Sequence, residues 1–454
     1  MLTGSGYALF FVPPHHSRGL SEYTILQGGV MVGIHPSQKR KGAMYMKAKE
    51  LIREAAEMKA ELIERRKYLH SHAETGFALD GTLAYVRSEL EGMGYAPEPC
   101  GRAGLVALAG GKNPGRVFLL RADMDALPIA EQSGVDFASK NGNMHACGHD
   151  MHTAMLLGAA KLLKMHEDEL AGTVKLMFQP AEEIFEGSAD MIRAGVLEAP
   201  HVDAAMMIHV MAGMPLAPGT VIVSDPGIGA PAADVFEIRV RGRGCHGSMP
   251  EKGIDPVTAA AHIIIALQEI RARELSMGDR AVLTIGAVHA GSAANVIPDE
   301  ATMGGSLRTL DETVRASVKQ RIADISAGIA RAFRAEAEVT FVSGCPTLKN
   351  DKELSAAVFR YVSELLGAEK ACTVAQLSAG GSAGASGSAG SEDFAYVSHE
   401  VPSLMLVLAA GQPEKGYAYP QHHPMVRFDN DALDTGSAVY AYAASRWLED
   451  NAGE

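Results

Sequence analysis

The chain has 454 residues, 47% of them hydrophobic and 21% charged, with a formal net charge of -13 at pH 7. That length exceeds one ordinary domain and implies two, or one carrying a large insertion. The acidic balance excludes nucleic acid as a natural partner, since phosphate binding needs clustered Lys and Arg, and no apolar run reaches the about 18 residues of a membrane span.

Residues 1–45 show no hydrophobic period and read as an extension, disordered, with no chemistry assigned. Their apolar patch, Tyr7 to Val12, has no basic residue before it and runs into Pro13-Pro14, a poor signal peptide. The expected compartment is therefore the cytoplasm, and five scattered cysteines make a disulfide framework a poor reading. Over residues 48–69, Leu51, Ile52, Ala55, Met58, Leu62, Ile63 and Leu69 recur at three and four, which predicts one helix. A second helix over 82–93 leads through Gly94 to a strand at 105–109.

Three apolar strands follow, and each ends in chemistry. The run 116–120 ends in Arg121-Ala-Asp-Met-Asp125, the run 174–178 in Gln179-Pro-Ala-Glu-Glu183, and the run 204–208 in His209. Strands alternating with helices predict an α/β sheet, whose active groups collect at the carboxyl ends of its strands. The middle of the chain reads strand 234–240, helix 255–273, strands 281–289 and 300–307, helix 312–333 and strand 338–342. That βαββαβ order is the ferredoxin-like unit, so an inserted domain is expected over 233–346, within a first domain made of 46–232 and 347–454. That first domain resumes with a helix over 352–366 and a strand over 403–408. Residues 378–390 are only Ser, Ala and Gly, a flexible linker with no phosphate-binding helix signature behind it.

The densest cluster is His145-Ala-Cys147-Gly-His149-Asp150-Met-His152, directly before a helix expected over 153–163. Thiolate and imidazole are preferred ligands of borderline-soft divalent metals, and Cys147 and His149 can converge on one ion from a tight turn. A lone Cys or His would be read as an ordinary buried residue; this density favours metal. Glu182 and Glu183 are adjacent at a strand end and point in different directions, so one can bind metal while the other faces substrate. That division suits metal-assisted hydrolysis, in which a bound ion acidifies water, from about 15.7 to about 7 at zinc, and a carboxylate takes the proton. Asp123 and Asp125, two apart in an extended stretch, share a face, and Asp125 is the candidate carboxylate behind a ligating histidine. His209 lies opposite this cluster, and His422-His423-Pro424 is the last histidine pair. Pro424 holds the residue before it extended.

These motifs resemble the aminoacylase-like metallopeptidases, in the branch of hippurate hydrolase, N-acyl-amino-acid amidohydrolases and indole-acetyl-amino-acid hydrolases. The resemblance rests on Leu120-Arg-Ala-Asp-Met-Asp-Ala-Leu-Pro128, Met144-His-Ala-Cys-Gly-His-Asp-Met-His-Thr-Ala154, Phe178-Gln-Pro-Ala-Glu-Glu183, Ser391-Glu-Asp-Phe394 and His422-His-Pro424. It runs from about Ala48 to the C-terminus. It implies a metallopeptidase-type catalytic domain, a mixed sheet flanked by helices, with an inserted ferredoxin-like α+β lid that mediates homodimerisation. It implies Cys147, His149, Glu183, His209 and His422 as ligands of two divalent ions, with Glu182 as general base and acid and Asp125 as the supporting carboxylate. In the lid it implies His246, in Gly244-Cys-His-Gly-Ser248, on the substrate carbonyl, commonly in the partner subunit's site, and Asn295 and Arg308 on the substrate carboxylate. Arg suits that task because its planar fork matches a carboxylate.

A Cys and His set favours zinc, and the carboxylates also admit manganese, nickel or cobalt. The expected reaction is hydrolysis of a small N-acyl amino acid. The rivals within the fold are a dipeptidase or carboxypeptidase and an N-acetyl-diaminopimelate deacetylase. A metal-binding protein without catalysis is the rival from another class, and Glu182 stands against it. Gly-x-Ser-x-Gly spacing within 381–387 has no strand before it and carries no serine-hydrolase reading.

Overall fold

The computed structural model describes residues 46–111, 115–379 and 390–453. The expectation for residues 1–45 and most of the Ser/Ala/Gly run lie outside the described residues; Ser378 belongs to a short helix, Val374–Ala379. The strands used below are β1 (Glu98–Cys100), β2 (Gly104–Gly110), β3 (Val117–Asp123), β4 (Thr173–Gln179), β5 (Ala204–Met211), β6 (Val221–Val223), β7 (Ala232–Arg241), β8 (Ala281–Ala290), β9 (Glu300–Thr309), β10 (Glu336–Cys345), β11 (Ala371–Thr373) and β12 (Ser403–Ala409).

Eight of them form a mixed sheet in the order β1-β2-β4-β3-β5-β12-β6-β11. The central strands β4, β3, β5 and β12 are parallel, while β1 and β2 run antiparallel at one edge. Every residue of β3 and β4 is buried, as near-continuous apolar runs require when helices cover both faces. The helices His149–Met165 and Leu433–Asp450 pack together over this sheet and supply much of its core. Because β3, β4 and β5 are parallel, their carboxyl ends share one edge.

The second sheet, β8-β9-β7-β10, is antiparallel throughout. Helices Pro256–Glu269 and Glu312–Ala332 cover one face and close a separate core around Phe236, Ile263, Met303 and Ile322. Its chain order, strand, helix, two strands, helix, strand, is the ferredoxin-like arrangement. The architecture is therefore the expected α/β catalytic fold with a ferredoxin-like insertion.

Three local expectations need correction. The single helix over 48–69 is two, Ala48–Glu57 and Lys59–Ser71, joined at Met58. The apolar period runs through the break because Met58 is itself buried. The first half packs on Leu433–Asp450, while the second turns onto His149–Met165 and buries Arg65, Arg66 and His70. The helix behind the Cys-His cluster begins at His149 rather than residue 153, and β5 continues past His209 because Val407 of β12 still pairs with it.

Candidate metal centre

The cluster is built where β3, β4 and β5 end. Gly148 carries the chain from Cys147 into the helix at His149 with φ 95°, and a Cβ there would lie 2.4 Å from Val210 Cγ2. Only glycine allows that turn. Cys147 Sγ lies 3.5 Å from His209 Nε2, and His422 Nε2 lies 3.6 Å from Glu183 Oε2. His149 Nε2 is 3.8 Å from Glu183 Oε1 and 3.9 Å from Glu182 Oε2. Donor atoms of Cys147, His149 and His209, of Cys147, Glu183 and His422, and of His149, Glu182 and Glu183 each lie within 4.8 Å of one another. Cys147, His149 and Glu183 belong to more than one of these trios.

Hydrogen bonds aim the imidazoles. His149 Nδ1 donates to the Asp125 carbonyl at 2.7 Å, and His209 Nδ1 donates to the Val210 carbonyl at 2.7 Å. Each Nε2 lone pair is thereby turned into the cluster. His149 Nε2 and Glu183 Oε1 are buried without a hydrogen-bond partner. Buried polar atoms are costly unless satisfied, so this donor set fits a cation.

The carboxylate of Asp125 lies 3.7 Å from His149 Nδ1 and has a further task. Its own main-chain carbonyl holds His149, while its two carboxylate oxygens accept the amides of Glu182 at 3.0 Å and Glu183 at 3.2 Å. The turn that it grips is bracketed by left-handed Ala181 (φ 55°) and Phe185 (φ 58°). Asp123 serves different partners: its oxygens meet His152 Nδ1 at 2.6 Å and Arg121 Nη1 at 2.7 Å. His152 also accepts the Val210 amide through Nε2 at 2.8 Å, so both its nitrogens are occupied. Burial pulls His152 down to about 4 and His145 to about 3, so both rings are neutral.

Beneath the cluster lies a group that sequence reasoning left without a role. Arg121 is fully buried and donates to Gln179 Oε1 (2.9 Å), Asp123 Oδ2 (2.7 Å), Glu392 Oε1 (2.8 Å) and Asp393 Oδ1 (2.9 Å). Carboxylate oxygens of Glu182, Glu392 and Asp393 lie within 4.8 Å of one another. Burial, with Glu392 and Glu183 nearby, pushes Glu182 well above the usual carboxylate range; burial also lifts Glu183 to about 7 and Asp393 to about 8. The Cys147 thiol is likewise pushed up by burial. Both motifs, Leu120-Arg and Ser391-Glu-Asp, are visible in the sequence, but their pairing is a tertiary fact.

The adjacent histidines part company. His422 adopts φ 65° and donates its amide to the Ala146 carbonyl at 2.9 Å, which sends its ring towards Glu183. His423 stacks on Tyr419 at 4.4 Å and accepts the Met425 amide through Nδ1. In the insertion, His246 and Asn295 are neighbours: Gly247 N donates to the Asn295 carbonyl at 2.8 Å, and His246 bonds to Ser248 Oγ at 2.8 Å. Among the described residues, no hydrogen bond or ion pair joins either of them to the cluster. Arg308 does cross between the two parts of the chain, bonding Ser391 Oγ, with its guanidinium 5.9 Å from the Phe185 ring centroid.

Thiol, imidazole and carboxylate donors converging at the carboxyl edge of this α/β sheet define a metal-dependent hydrolase. The chain belongs to peptidase family M20/M25/M40, whose model matches residues 119–446. It is 36% identical over 395 residues to N-acetylcysteine deacetylase of Bacillus subtilis (strain 168), covering 86% of this chain and 97% of that protein. To N-acyl-L-amino acid amidohydrolase of Geobacillus stearothermophilus it is 40% identical over 304 residues, covering 66% and 80%. Among solved structures it matches the YXEP protein of Bacillus subtilis, described as a dinuclear metal binding peptidase from the M20 family, with TM-score 0.70, 34% identity and coverage of 87% and 99%. The chain is a metal-dependent amidohydrolase. No helix among its described residues is long and apolar enough to cross a membrane.

Proposed function

We propose that the chain cleaves the amide bond of small N-acyl amino acids, of the hippurate or N-acetyl type, giving a carboxylate and a free amino acid. Residues 46–232 and 347–454 act as the catalytic domain and 233–346 as its lid. Cys147, His149, Glu183, His209 and His422 hold two divalent ions, zinc or manganese ahead of nickel or cobalt. The observation that carries this reading is the overlap of the donor trios beside Glu182, on a turn tied down by Asp125.

Bound ions would acidify water and polarise the amide carbonyl. Glu182 takes the proton of the attacking water and returns it to the leaving nitrogen. Asp125 keeps Glu182 and Glu183 in register. Arg308 and Asn295 hold the substrate carboxylate, and His246 donates to the carbonyl oxygen. His246 is exposed, and among the described residues its side chain bonds only to Ser248, which favours service in the site of a second copy.

A homodimer through the lid suits that arrangement. Strand β8 is an edge strand with Val282 and Val288 exposed, and Ile265 is 68% exposed on the helix Pro256–Glu269. An open apolar edge of this kind invites pairing. All five cysteines are free thiols, which suits the reducing cytoplasm.

Stripping with chelator, followed by readdition of single metals, tests the reading against a panel of acetyl-, benzoyl- and aminoacyl-amino acids. Activity should vanish and return with metal; full activity after stripping would overturn it. A dipeptidase or carboxypeptidase is the second reading, favoured by the description of the YXEP protein as a peptidase. Aminoacyl substrates outrunning every acylated one in that panel would select it.

A further inference from the structure

We propose that Phe185 is a specificity-determining residue that selects substrates whose amino-acid side chain is apolar. The inference rests on the reading above, in which Arg308 holds the carboxylate of an N-acyl amino acid.

The turn after β4 distributes four consecutive side chains. Glu182 and Glu183 enter the donor cluster. Ile184 lies against Gly76, its Cδ1 3.7 Å from where a Cβ there would sit. Phe185 faces the lid, its ring 5.9 Å from the Arg308 guanidinium carbon. The turn is closely held: Phe185 N donates to the Glu182 carbonyl at 2.8 Å, and the amides of Glu186 and Gly187 both donate to the Ala181 carbonyl at 3.2 Å. A bulky aromatic seldom adopts the left-handed backbone, and Phe185 does so at φ 58°. Its half-buried ring is thus held against Arg308 on the turn that carries Glu182 and Glu183.

A substrate bridging the ions and Arg308 must carry its Cα past this ring. What meets its side chain there is an aromatic face. The ring also lines a cleft of about 370 Å³ between the two parts of the fold, beside Phe341 and Tyr396 and the ion-paired side chains of Glu186, Arg193, Asp234, Arg315 and Lys319. Buried Asp234 in that cleft is paired with Arg315 at 2.7 Å and Lys319 at 2.7 Å, so it offers no free charge to a substrate. Leucine, methionine and phenylalanine side chains suit this surface; glycine forgoes it.

The test is steady-state kinetics of metal-loaded wild type, Phe185→Asn and Phe185→Leu on the N-acetyl derivatives of Leu, Met, Phe, Gly, Glu and Lys. Asparagine tolerates the left-handed backbone while removing the ring, and bound metal is measured for each variant. Wild type should prefer N-acetyl-leucine to N-acetylglycine by at least about tenfold in kcat/KM, the scale expected of an apolar pocket. Phe185→Asn should collapse that ratio through KM, and Phe185→Leu should restore most of it. A wild-type preference for Gly, Glu or Lys overturns the inference, as does an equal loss on all six substrates with Phe185→Asn. If wild type cleaves none of the six but cleaves dipeptides, the N-acyl reading itself has failed and the inference falls with it.

Discussion

Replacing Asp125 by alanine removes one carboxylate and, with it, the acceptors of two consecutive amides, at 3.0 Å from Glu182 and 3.2 Å from Glu183. Each buried donor left without a partner costs about 1–3 kcal/mol, so the turn loses roughly 2–6 kcal/mol of local stability. That turn also carries left-handed Ala181 and Phe185, whose backbone strain is on the order of 1–3 kcal/mol each and persists only while neighbours impose it. Relaxation displaces Glu182 and Glu183 but leaves His149 in place, because the His149 bond goes to the main chain of residue 125. Metal affinity should therefore fall by about 10–100-fold, the usual effect of losing a residue that orients a ligand, while the fold survives. Asp125→Asn retains one acceptor oxygen and turns an amide donor towards the second N–H, so its loss should be intermediate. Equilibration against a buffered metal series, with kcat/KM at saturating metal and far-ultraviolet circular dichroism, measures all three proteins. An alanine variant with wild-type metal affinity and wild-type kcat/KM would refute the claim that this carboxylate holds the turn.

Arg121→Met strands the buried carboxylates of Asp123, Glu392 and Asp393, and breaking a buried pair of this kind costs about 3–5 kcal/mol. Urea unfolding should show that drop, with Arg121→Lys intermediate because a point charge cannot match four acceptors; a change below about 1 kcal/mol would count against the network. Burial opposes the His70 proton, but Asp150 and Glu131 raise its pKa from 6.5 to about 9. Because the folded value is the higher one, its contribution, on the order of 3 kcal/mol, is complete below about pH 6.5 and is lost as pH rises through about 9. His70→Gln should flatten that decline in unfolding free energy between pH 6.5 and 9.5, and an unchanged slope would refute it. Burial also pushes the Cys147 thiol up, so metal uptake there must release a proton. Apparent affinity, measured by chelator competition, should climb about tenfold per pH unit for that proton, and Cys147→Ser should bind more weakly with a shallower slope.

The main features of the centre are legible in the sequence because its donors sit in short segments at the ends of parallel strands, which sheet topology forces together. What escapes has identifiable causes. Two-residue spacing placed Asp123 and Asp125 on one face, but alternation holds only inside a strand, and β3 ends at Asp123. Met124 still bonds to the Gln179 carbonyl at 2.8 Å, after which the chain turns and gives Asp125 its own partners. Arg121 sits in the middle of an apolar strand, where local pattern gives no hint that Glu392 and Asp393, some 270 residues away, will meet it. The helix break at Met58 is hidden because the buried stripe continues through it while its packing partner changes.

The turn from Ala181 to Gly187 joins what a reading of separate motifs keeps apart. Glu182, Glu183 and Phe185 belong to one hydrogen-bonded unit, held by one carboxylate and closed by a glycine whose Cβ would stand 1.6 Å from the Pro180 carbonyl oxygen. Chemistry and selectivity are therefore mechanically coupled. Asp125→Asn, which touches no substrate, should lower the leucyl-to-glycyl ratio of kcat/KM as well as metal affinity, because loosening the turn frees the Phe185 ring along with the glutamates. A ratio that stays at the wild-type value while metal affinity falls would show that the ring is held by the lid and not by the turn.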